Sequence, residues 1–242
     1  MTKNPCSYLS LALDNIGSTE QLGSLINKTK GSIGVYKIGL EQFTRFGPPI
    51  LDVIRGAGAK IFLDLKFHDI PNTVAKAVAS ACELGVHYLT IHTQGGSEMM
   101  KAAVESAKKA KAEGKLPPKI IGVTVLTSIS QEILNNELNV GSSVVDHVRH
   151  LATLAADSGC DGIVCSAADL PHIRASLPSH FDIITPGIRL PENYAQDQKR
   201  IATPQAAIAG GATLLVVGRP ITGAANPDQA AKKFVQAISS SL

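Results

Sequence analysis

A short apolar segment followed by an amphipathic stretch recurs eight times along the 242 residues of this chain. Each pair has the pattern of a β-strand followed by a helix, and eight consecutive pairs are the number that closes a (β/α)8 barrel. An open, doubly wound sheet would also alternate the two elements, but eight units in succession favour closure. We expect strands over 8–13, 35–40, 60–66, 88–92, 119–126, 162–166, 182–186 and 213–218, and helices near 18–29, 48–57, 72–84, 97–112, 142–157, 167–176, 204–209 and 226–240.

The chain shows no linker rich in Pro, Gly or Ser and no break in composition, so we predict one barrel domain over residues 1–242. The 23 basic and 20 acidic residues are scattered rather than grouped into a basic stripe, which argues against a nucleic-acid partner. No apolar run reaches the roughly 18 residues of a membrane span, and the N-terminus lacks a signal-peptide pattern. We therefore expect a cytoplasmic protein. The cysteines lack the spacing of a zinc site and are expected as reduced, buried thiols: Cys6, Cys82, Cys160 and Cys165.

Alternation within the first three strands separates two sets of side chains. Period-2 geometry sends alternate residues to opposite faces of a strand. Large aliphatic residues make up one set, and we expect them to meet the ring of helices; in the second strand this set runs as far as Leu40. The other set looks into the barrel and ends in charged residues near the C-terminal ends of the strands, where barrel active sites are built: Asp14, Lys37, Asp64 and Lys66.

The stretch 60–73 carries three ionisable groups in and directly after a strand. A lone buried charge is costly unless it is paired, so Asp64, Lys66 and Asp69 require an explanation. Lys37 on the neighbouring strand can reach Asp64, which gives an alternating series of lysine and aspartate. The series could be a structural ion-pair network that closes the barrel mouth, or it could be a catalytic array. Pro71 disfavours helix at the residue before it, and we expect Asn72 or Thr73 to cap the helix that follows.

The loops after the seventh and eighth strands indicate a phosphate site. The loop 187–203 is long and polar, as functional lids often are, and it contains Arg189. The eighth strand ends in a glycine followed by Arg219. Loops at these two positions hold a phosphate in many barrels, and arginine suits phosphate because it binds two oxygens at once. The alternative is that both arginines are merely exposed on polar loops.

A charge array of this kind can remove a carboxylate without a metal or an organic cofactor. The flanking lysines keep Asp64 ionised, because a nearby positive charge lowers the pKa of a carboxyl group. A substrate carboxylate placed about 4 Å from Asp64 would be repelled by about 4 kcal/mol at an effective dielectric constant of 20. Loss of CO2 relieves that repulsion, and Lys66 lies where it can stabilise and protonate the carbanion that remains.

The segment 64–73, Asp-Leu-Lys-Phe-His-Asp-Ile-Pro-Asn-Thr, resembles the signature of the orotidine 5′-phosphate decarboxylase family. Other segments match that family's motifs in order and spacing, so the resemblance covers nearly the whole chain. It implies a homodimeric barrel that converts orotidine 5′-phosphate to UMP and CO2 in de novo pyrimidine biosynthesis, with no cofactor and no metal. The other matching segments are 13–14, 37–39, 123–127, 185–189, 197–198 and 218–220.

The resemblance also implies a role for each matched residue. Lys66 is expected to be the proton donor, Asp64 the carboxylate that faces the substrate's carboxylate, and Lys37 the residue that orients Asp64 and touches the ribose. The partner subunit is expected to supply three residues to each site, namely Asp69, Ile70 and Thr73. The remaining substrate-binding residues are Asp14 for the ribose hydroxyls, Thr127 for the pyrimidine, with Ser128 beside it, and Arg189, Gln198, Gly218 and Arg219 for the phosphate.

Two other functions compete with this interpretation. Related sugar-phosphate decarboxylases and aldolases share an Asp-x-Lys-x-x-Asp strand end but use magnesium; an acidic ligand on the second strand would favour them, and this chain has Lys37 there. A non-catalytic phosphate-binding barrel would not need two lysines and two aspartates converging on one mouth. His68 is expected to be structural, and His92 is expected to line the barrel rather than to be catalytic.

Overall fold

The computed structural model of the protein describes residues 4–191 and 202–242. Eight parallel strands close into a barrel in which each strand pairs with the next and the last pairs with the first. The predicted (β/α)8 fold is therefore confirmed, and every predicted strand is present within a few residues. The strands are β1 (Leu9–Ala12), β2 (Val35–Gly39), β3 (Lys60–Phe67), β4 (Tyr88–His92), β5 (Lys119–Val123), β6 (Gly162–Val164), β7 (Asp182–Thr185) and β8 (Leu214–Val217).

Helices surround the barrel between these strands, and each predicted helix has a counterpart. The stretch 167–176 is a short α-helix between two 3-10 turns rather than one continuous helix. Two short helices were not predicted, one after β2 and one after β8. The α-helices are α1 (Thr19–Thr29), α2 (Leu40–Phe46), α3 (Ile50–Arg55), α4 (Pro71–Cys82), α5 (Gly96–Ala112), α6 (Val144–Asp157), α7 (Leu170–Ile173), α8 (Pro204–Ala209), α9 (Arg219–Thr222) and α10 (Pro227–Ser239).

The barrel has two separate apolar layers, as the strand alternation predicts. One layer lies between the strands and the helices, where Leu9, Leu11 and Leu63 are fully buried. The other fills the barrel interior and gives the charged mouth a packed floor. The interior layer consists of Ala12, Val35, Phe62, Ile121, Ile184, Leu214 and Val216.

Two predictions about the ends of elements are wrong. β2 ends at Gly39 because Leu40 begins α2, so Leu40 is 55% exposed instead of packing under the helices. α4 begins at Pro71, with Ile70 as the N-cap residue and no side-chain capping bond, so neither Asn72 nor Thr73 caps it. Proline suits the first helical position, because its fixed φ already matches the helix and its missing N–H would have no partner there.

A polar cluster closes the N-terminal end of the barrel, and we call it the lower cluster: Lys119, Asp182 and Thr213. The Lys119 Nζ lies 2.6 Å from Oδ2 of Asp182. The Thr213 hydroxyl lies 3.1 Å from Oδ1 of the same aspartate and accepts the backbone N–H of Ile183 at 2.9 Å. The lower cluster therefore ties the start of β5 to the start of β7 and to the residue before β8.

The cysteines are free thiols, as predicted, but only Cys82, Cys160 and Cys165 are buried; Cys6 is half-buried. Burial raises the pKa of the Cys160 thiol to about 12. In residues 4–191 and 202–242, no helix is both long and apolar enough to cross a membrane.

Candidate active site

A cavity of about 890 Å³ opens at the C-terminal end of the barrel. All four charged residues predicted to point inward line it: Asp14 after β1, Lys37 on β2, and Asp64 and Lys66 on β3. Its floor includes Ala12, Phe62, Ile184 and Val216 from the apolar layer inside the barrel. The cavity therefore has a charged wall above an apolar base.

The four charged side chains form a continuous chain of ion pairs. Lys66 Nζ lies 2.9 Å from Oδ1 of Asp64, and Lys37 Nζ lies 3.3 Å from Oδ2 of the same carboxylate. Lys37 also lies 3.6 Å from Oδ1 of Asp14. The predicted contact between Lys37 and Asp64 is thus present. Within one chain the series runs Asp14, Lys37, Asp64, Lys66 and does not include Asp69.

Asp64 is held as a carboxylate at the centre of this chain. Its side chain is only 12% exposed, and burial alone would raise its pKa. The charges of Lys37 and Lys66, together with hydrogen bonds from Lys66 and Thr90, outweigh that effect and bring the pKa of Asp64 below its usual value. A fixed negative charge therefore faces the cavity at neutral pH.

Lys66 reaches Asp64 through a bulge rather than through regular strand alternation. β3 and β4 are in register at Leu63 and Leu89, but the next pair is Phe67 and Ile91. Three residues of β3 thus face one residue of β4, and Lys66 has a φ of 51° in the left-handed region. The expectation that Lys66 meets Asp64 at the mouth is confirmed, although β3 is not a regular strand at this residue, because its pairing with β4 is interrupted.

Thr90 on β4 belongs to the same network and was not singled out from the sequence. It is fully buried, and its hydroxyl donates to Oδ1 of Asp64 at 3.0 Å. The same hydroxyl accepts the backbone N–H of Lys66 at 2.8 Å. The sequence does contain a signal for Thr90, because it is a polar residue between Leu89 and Ile91 in a segment that otherwise has the pattern of a buried strand.

The residues assigned to the partner subunit lie outside the cavity of their own chain. Asp69 and Thr73 are exposed, and Ile70 is 66% exposed. Asp69 forms no ion pair with any described residue, and its Oδ1 accepts the N–H of Ile70 at 2.7 Å. Asp69 therefore does not pair with Lys66 of its own chain.

The residues predicted for the phosphate gather at the opposite side of the cavity. Its lining includes Arg189 from the loop after β7 and Gly218 and Arg219 from the end of β8. Arg189 is buried, so the alternative that it is merely exposed on a polar loop is wrong; its Nη1 donates to the carbonyl of Ile188 at 3.0 Å. Arg219 is exposed to the solvent side of the cavity at the start of α9.

An isolated β-bridge joins the two ends of the loop after β7. Ile188 pairs with Ala202, and the N–H of Arg189 donates to the carbonyl of Ala202 at 2.9 Å. Gln198, which the family resemblance assigns to the phosphate, lies outside the described residues. Thr127, assigned to the pyrimidine, lines the cavity from the loop after β5 and is exposed.

His68 and His92 pack against each other beside the cavity, with ring centroids 5.4 Å apart. Burial, and then the neighbouring His68 and Lys66, lower the pKa of His92 below its usual value. Neither ring is among the residues that line the cavity; this agrees with the structural role expected for His68, whereas the expectation that His92 lines the cavity is wrong. In the parts of the chain that the structure describes, no group of three or more His, Cys, Asp or Glu side chains could hold a metal ion.

Comparison with known proteins agrees with this geometry. Residues 7–234 match the model of the Orotidine 5′-phosphate decarboxylase / HUMPS family. This chain belongs to that family. It is 44% identical to the orotidine 5′-phosphate decarboxylase of Syntrophus aciditrophicus, over 99% of this chain and 96% of that protein.

Other members of the family are about as similar. The orotidine 5′-phosphate decarboxylase of Nostoc sp. is 44% identical, over 94% of this chain and 95% of that protein. The crystal structure of the orotidine 5′-phosphate decarboxylase from Lactobacillus acidophilus superposes with a TM-score of 0.83 at 36% identity, and the match covers 95% of this chain and 98% of that one. The likeness therefore extends over both the sequence and the fold.

Proposed function

We propose that this protein decarboxylates orotidine 5′-phosphate to UMP and CO2 in de novo pyrimidine biosynthesis, with Lys66 as the proton donor. The observation that carries the proposal is the shared carboxylate of Asp64, which two lysines hold at 2.9 and 3.3 Å on the wall of the cavity. The family to which the chain belongs supports the same reaction.

The chemistry follows from the order of charges along the wall. A substrate carboxylate placed beside Asp64 is repelled by about 4 kcal/mol at 4 Å and an effective dielectric constant of 20. When the bond to the carboxyl carbon breaks, CO2 leaves and the electron pair stays on C6 of the pyrimidine. The ammonium of Lys66 stabilises that negative charge and transfers a proton to C6. Lys66 then regains a proton from water.

The rest of the cavity supplies binding energy away from the reacting carbon. Arg189 and Arg219 bind the phosphate, with Gly218 beside them, and Gln198 closes on it from the loop. Asp14 and Lys37 bind the ribose hydroxyls, and Thr127 contacts the pyrimidine. These contacts, which lie away from the reacting carbon, hold the substrate carboxylate against Asp64. Their binding energy thus orients the substrate for the reaction.

The active protein is a homodimer in this proposal, and each partner completes the other's site. Asp69, Ile70 and Thr73 support this, because all three are exposed at the rim of the mouth and none lines the cavity of its own chain. Ile70 is an exposed large apolar residue, as expected of a side chain that a second copy covers. The dimer works in the cytoplasm, without a nucleic-acid or membrane partner.

The magnesium-dependent alternative requires an acidic ligand on β2. Lys37 occupies that place and pairs with Asp64. The positive charge of Lys37 in the place of that acidic ligand opposes the binding of a metal ion, which argues against the magnesium-dependent alternative.

Assays of the purified protein with orotidine 5′-phosphate test the reaction. We expect CO2 release and UMP formation to be the same with EDTA as without it, because Lys37 and Lys66 supply the positive charge. Loss of activity with EDTA and recovery with magnesium would favour the metal-dependent alternative. Absence of UMP formation under both conditions would overturn the proposed function.

Mixed dimers test the shared site. Refolding equal amounts of Lys66→Ala and Asp69→Ala chains together should restore about a quarter of the wild-type activity, because half of the dimers are mixed and each has one intact site. The matched control mixes Lys66→Ala with Asp64→Ala, two residues of one barrel, and should restore nothing. Recovery in the control, or none in the first mixture, contradicts the assignment of Asp69 to the partner's site.

A further inference from the structure

Three residues of β3 face a single residue of β4 at the mouth of the barrel. The ladder pairs Leu63 with Leu89 and then Phe67 with Ile91, so only Thr90 stands opposite Asp64, Leu65 and Lys66. A bulge of this kind re-aims side chains and interrupts the backbone hydrogen bonds of the sheet. Here it gives Lys66 a φ of 51°, a backbone conformation that residues other than glycine and asparagine rarely adopt.

The hydroxyl of Thr90 takes over the bonding that the bulge interrupts. The backbone N–H of Lys66 donates to Oγ1 of Thr90 at 2.8 Å instead of to a carbonyl of β4. Since an N–H can only donate and a carboxylate can only accept, the one hydroxyl proton points to Oδ1 of Asp64, at 3.0 Å. Thr90 is fully buried, so water does not replace either bond.

The Oγ1 atom of Thr90 thus joins the backbone of Lys66, the proposed proton donor, to the carboxylate of Asp64, with which the Lys66 side chain pairs. Lys66 Nζ lies 2.9 Å from the same Oδ1 of Asp64. The ring of bonds runs from the Lys66 amide through Thr90 to Asp64 and back to the Lys66 ammonium. It holds the strained backbone and the reacting side chain in one arrangement, which is how a neighbouring residue preorganises a site.

We propose that Thr90 is a positioning residue for decarboxylation, whose hydroxyl locks the bulge of β3 and thereby sets the placement of Lys66 against Asp64. The inference rests on the proposed function and adds to it a residue outside the family motifs. Without the hydroxyl, the Lys66 amide has no partner, the left-handed conformation relaxes and the ammonium moves away from Asp64. The residues proposed to bind the phosphate follow β7 and β8, across the barrel from β3 and β4, so substrate binding changes less than turnover.

Replacing Thr90 with valine, which has the same shape but no hydroxyl, tests the proposal. Thr90→Val should lower kcat by about 10²-fold, the effect of a misplacement of about 1 Å, while KM stays within about threefold. Thr90→Ser keeps the hydroxyl and should keep kcat within about threefold of the wild type. If Thr90→Val fails to fold, Thr90→Ala takes its place with the same expected loss, measured per folded molecule.

The lower cluster offers a matched control. Thr213 also accepts a backbone N–H of the neighbouring strand and also contacts an aspartate, but it lies at the other end of the barrel. Thr213→Val should lower the midpoint of denaturant unfolding and leave kcat unchanged. An equal loss of kcat in Thr213→Val and Thr90→Val, or an equal loss in Thr90→Ser and Thr90→Val, would overturn the positioning role.

Exchange of the Lys66 amide separates this inference from the proposed function. By NMR, the amide should exchange faster with solvent in Thr90→Val than in the wild type, whether or not orotidine 5′-phosphate is the substrate. Unchanged exchange overturns the proposal that Thr90 holds the bulge. Faster exchange in a protein that forms no UMP supports the hydroxyl lock and overturns the proposed function instead.

Discussion

The two ends of the barrel carry the same three residue types in nearly the same contacts. At the mouth, Thr90 and Lys66 bond to the carboxylate of Asp64. In the lower cluster, Thr213 and Lys119 bond to the carboxylate of Asp182. In both, the threonine hydroxyl also accepts a backbone N–H of the strand that carries the aspartate.

Three differences distinguish the mouth from the lower cluster. Asp64 pairs with a second lysine, Lys37, whereas Asp182 forms an ion pair with Lys119 alone among the described residues. Lys66 has a left-handed backbone, whereas β7 keeps a regular register with both neighbouring strands. Lys37, Asp64 and Lys66 line the cavity, whereas no residue of the lower cluster does. A structural ion pair needs neither strain nor a cavity, so the comparison favours a catalytic array over a structural network at the mouth.

The largest effect should follow from neutralising the aspartate at each end. Asp64→Asn removes the charge that repels the substrate carboxylate, about 4 kcal/mol, so we expect turnover to fall about 10³-fold. Asp182→Asn should leave turnover unchanged and lower the free energy of unfolding by about 1–2 kcal/mol, through weakened hydrogen bonds and a lost surface ion pair. Steady-state assays and urea titrations measure both. Similar turnover in the two variants would remove the distinction between the ends.

Gly162→Ala at the N-terminal end of the barrel and Gly39→Ala at the mouth should have opposite consequences: the first should affect stability and the second activity. At Gly162 the new carbon would overlap the backbone carbonyl oxygen of Asp182, so Gly162→Ala should destabilise the fold by about 2–3 kcal/mol. At Gly39 it would meet only the tips of Asp14 and Lys37, both at 3.3 Å. Gly39→Ala should therefore lower kcat/KM by about tenfold and unfold within about 1 kcal/mol of the wild type. Unfolding midpoints and kcat/KM check the pair; reversed sensitivities would contradict it.

The smallest effect concerns the pH dependence of stability. The lowered pKa of Asp64 stabilises the fold above the usual carboxyl pKa, and this contribution is lost as the pH falls through the folded-state pKa. Burial works against the charge of Lys119, but its bond to Asp182 outweighs burial and raises its pKa. The contribution of Lys119 is present at neutral pH and is lost as the pH rises above about 10.4.

Asp64→Asn should accordingly flatten the loss of stability below about pH 4, and Lys119→Met should flatten the loss above about pH 10.4. Urea unfolding across the pH range measures both slopes. An acid slope that is the same in Asp64→Asn and in the wild type would show that Asp64 does not carry the lowered pKa.

The sequence predicts much of this fold because its strongest signals are periodic. Eight apolar segments, each followed by an amphipathic one, predict the closed barrel, and alternation predicts the residues that face inward, namely Asp14, Lys37, Asp64 and Lys66. Element ends depend on short-range competition that periodicity does not describe. Leu40 fits the alternation of a strand and yet starts a helix, and Pro71 begins α4 without the expected cap.

The sequence predicts that Asp64 meets Lys37 and Lys66, but not the backbone geometry that brings Lys66 to Asp64. The bulge at Lys66 depends on how β3 pairs with β4, which no pattern within one strand reveals. Thr90 takes part only because that bulge leaves the Lys66 N–H without a carbonyl. Asp69 follows the strand closely in sequence, but its carboxylate turns to the N–H of Ile70 rather than to Lys66.

In the proposed reaction Lys66, at the mouth, performs chemistry, whereas Lys119 of the lower cluster only stabilises the barrel. Single-turnover release of CO2 from orotidine 5′-phosphate, measured with Lys66→Ala and Lys119→Ala at equal folded concentration, tests it directly. We predict that Lys66→Ala slows the release by at least about 10³-fold and that Lys119→Ala releases CO2 at the wild-type rate. Release from Lys66→Ala at a rate near that of Lys119→Ala would show that Lys66 takes no part in the reaction.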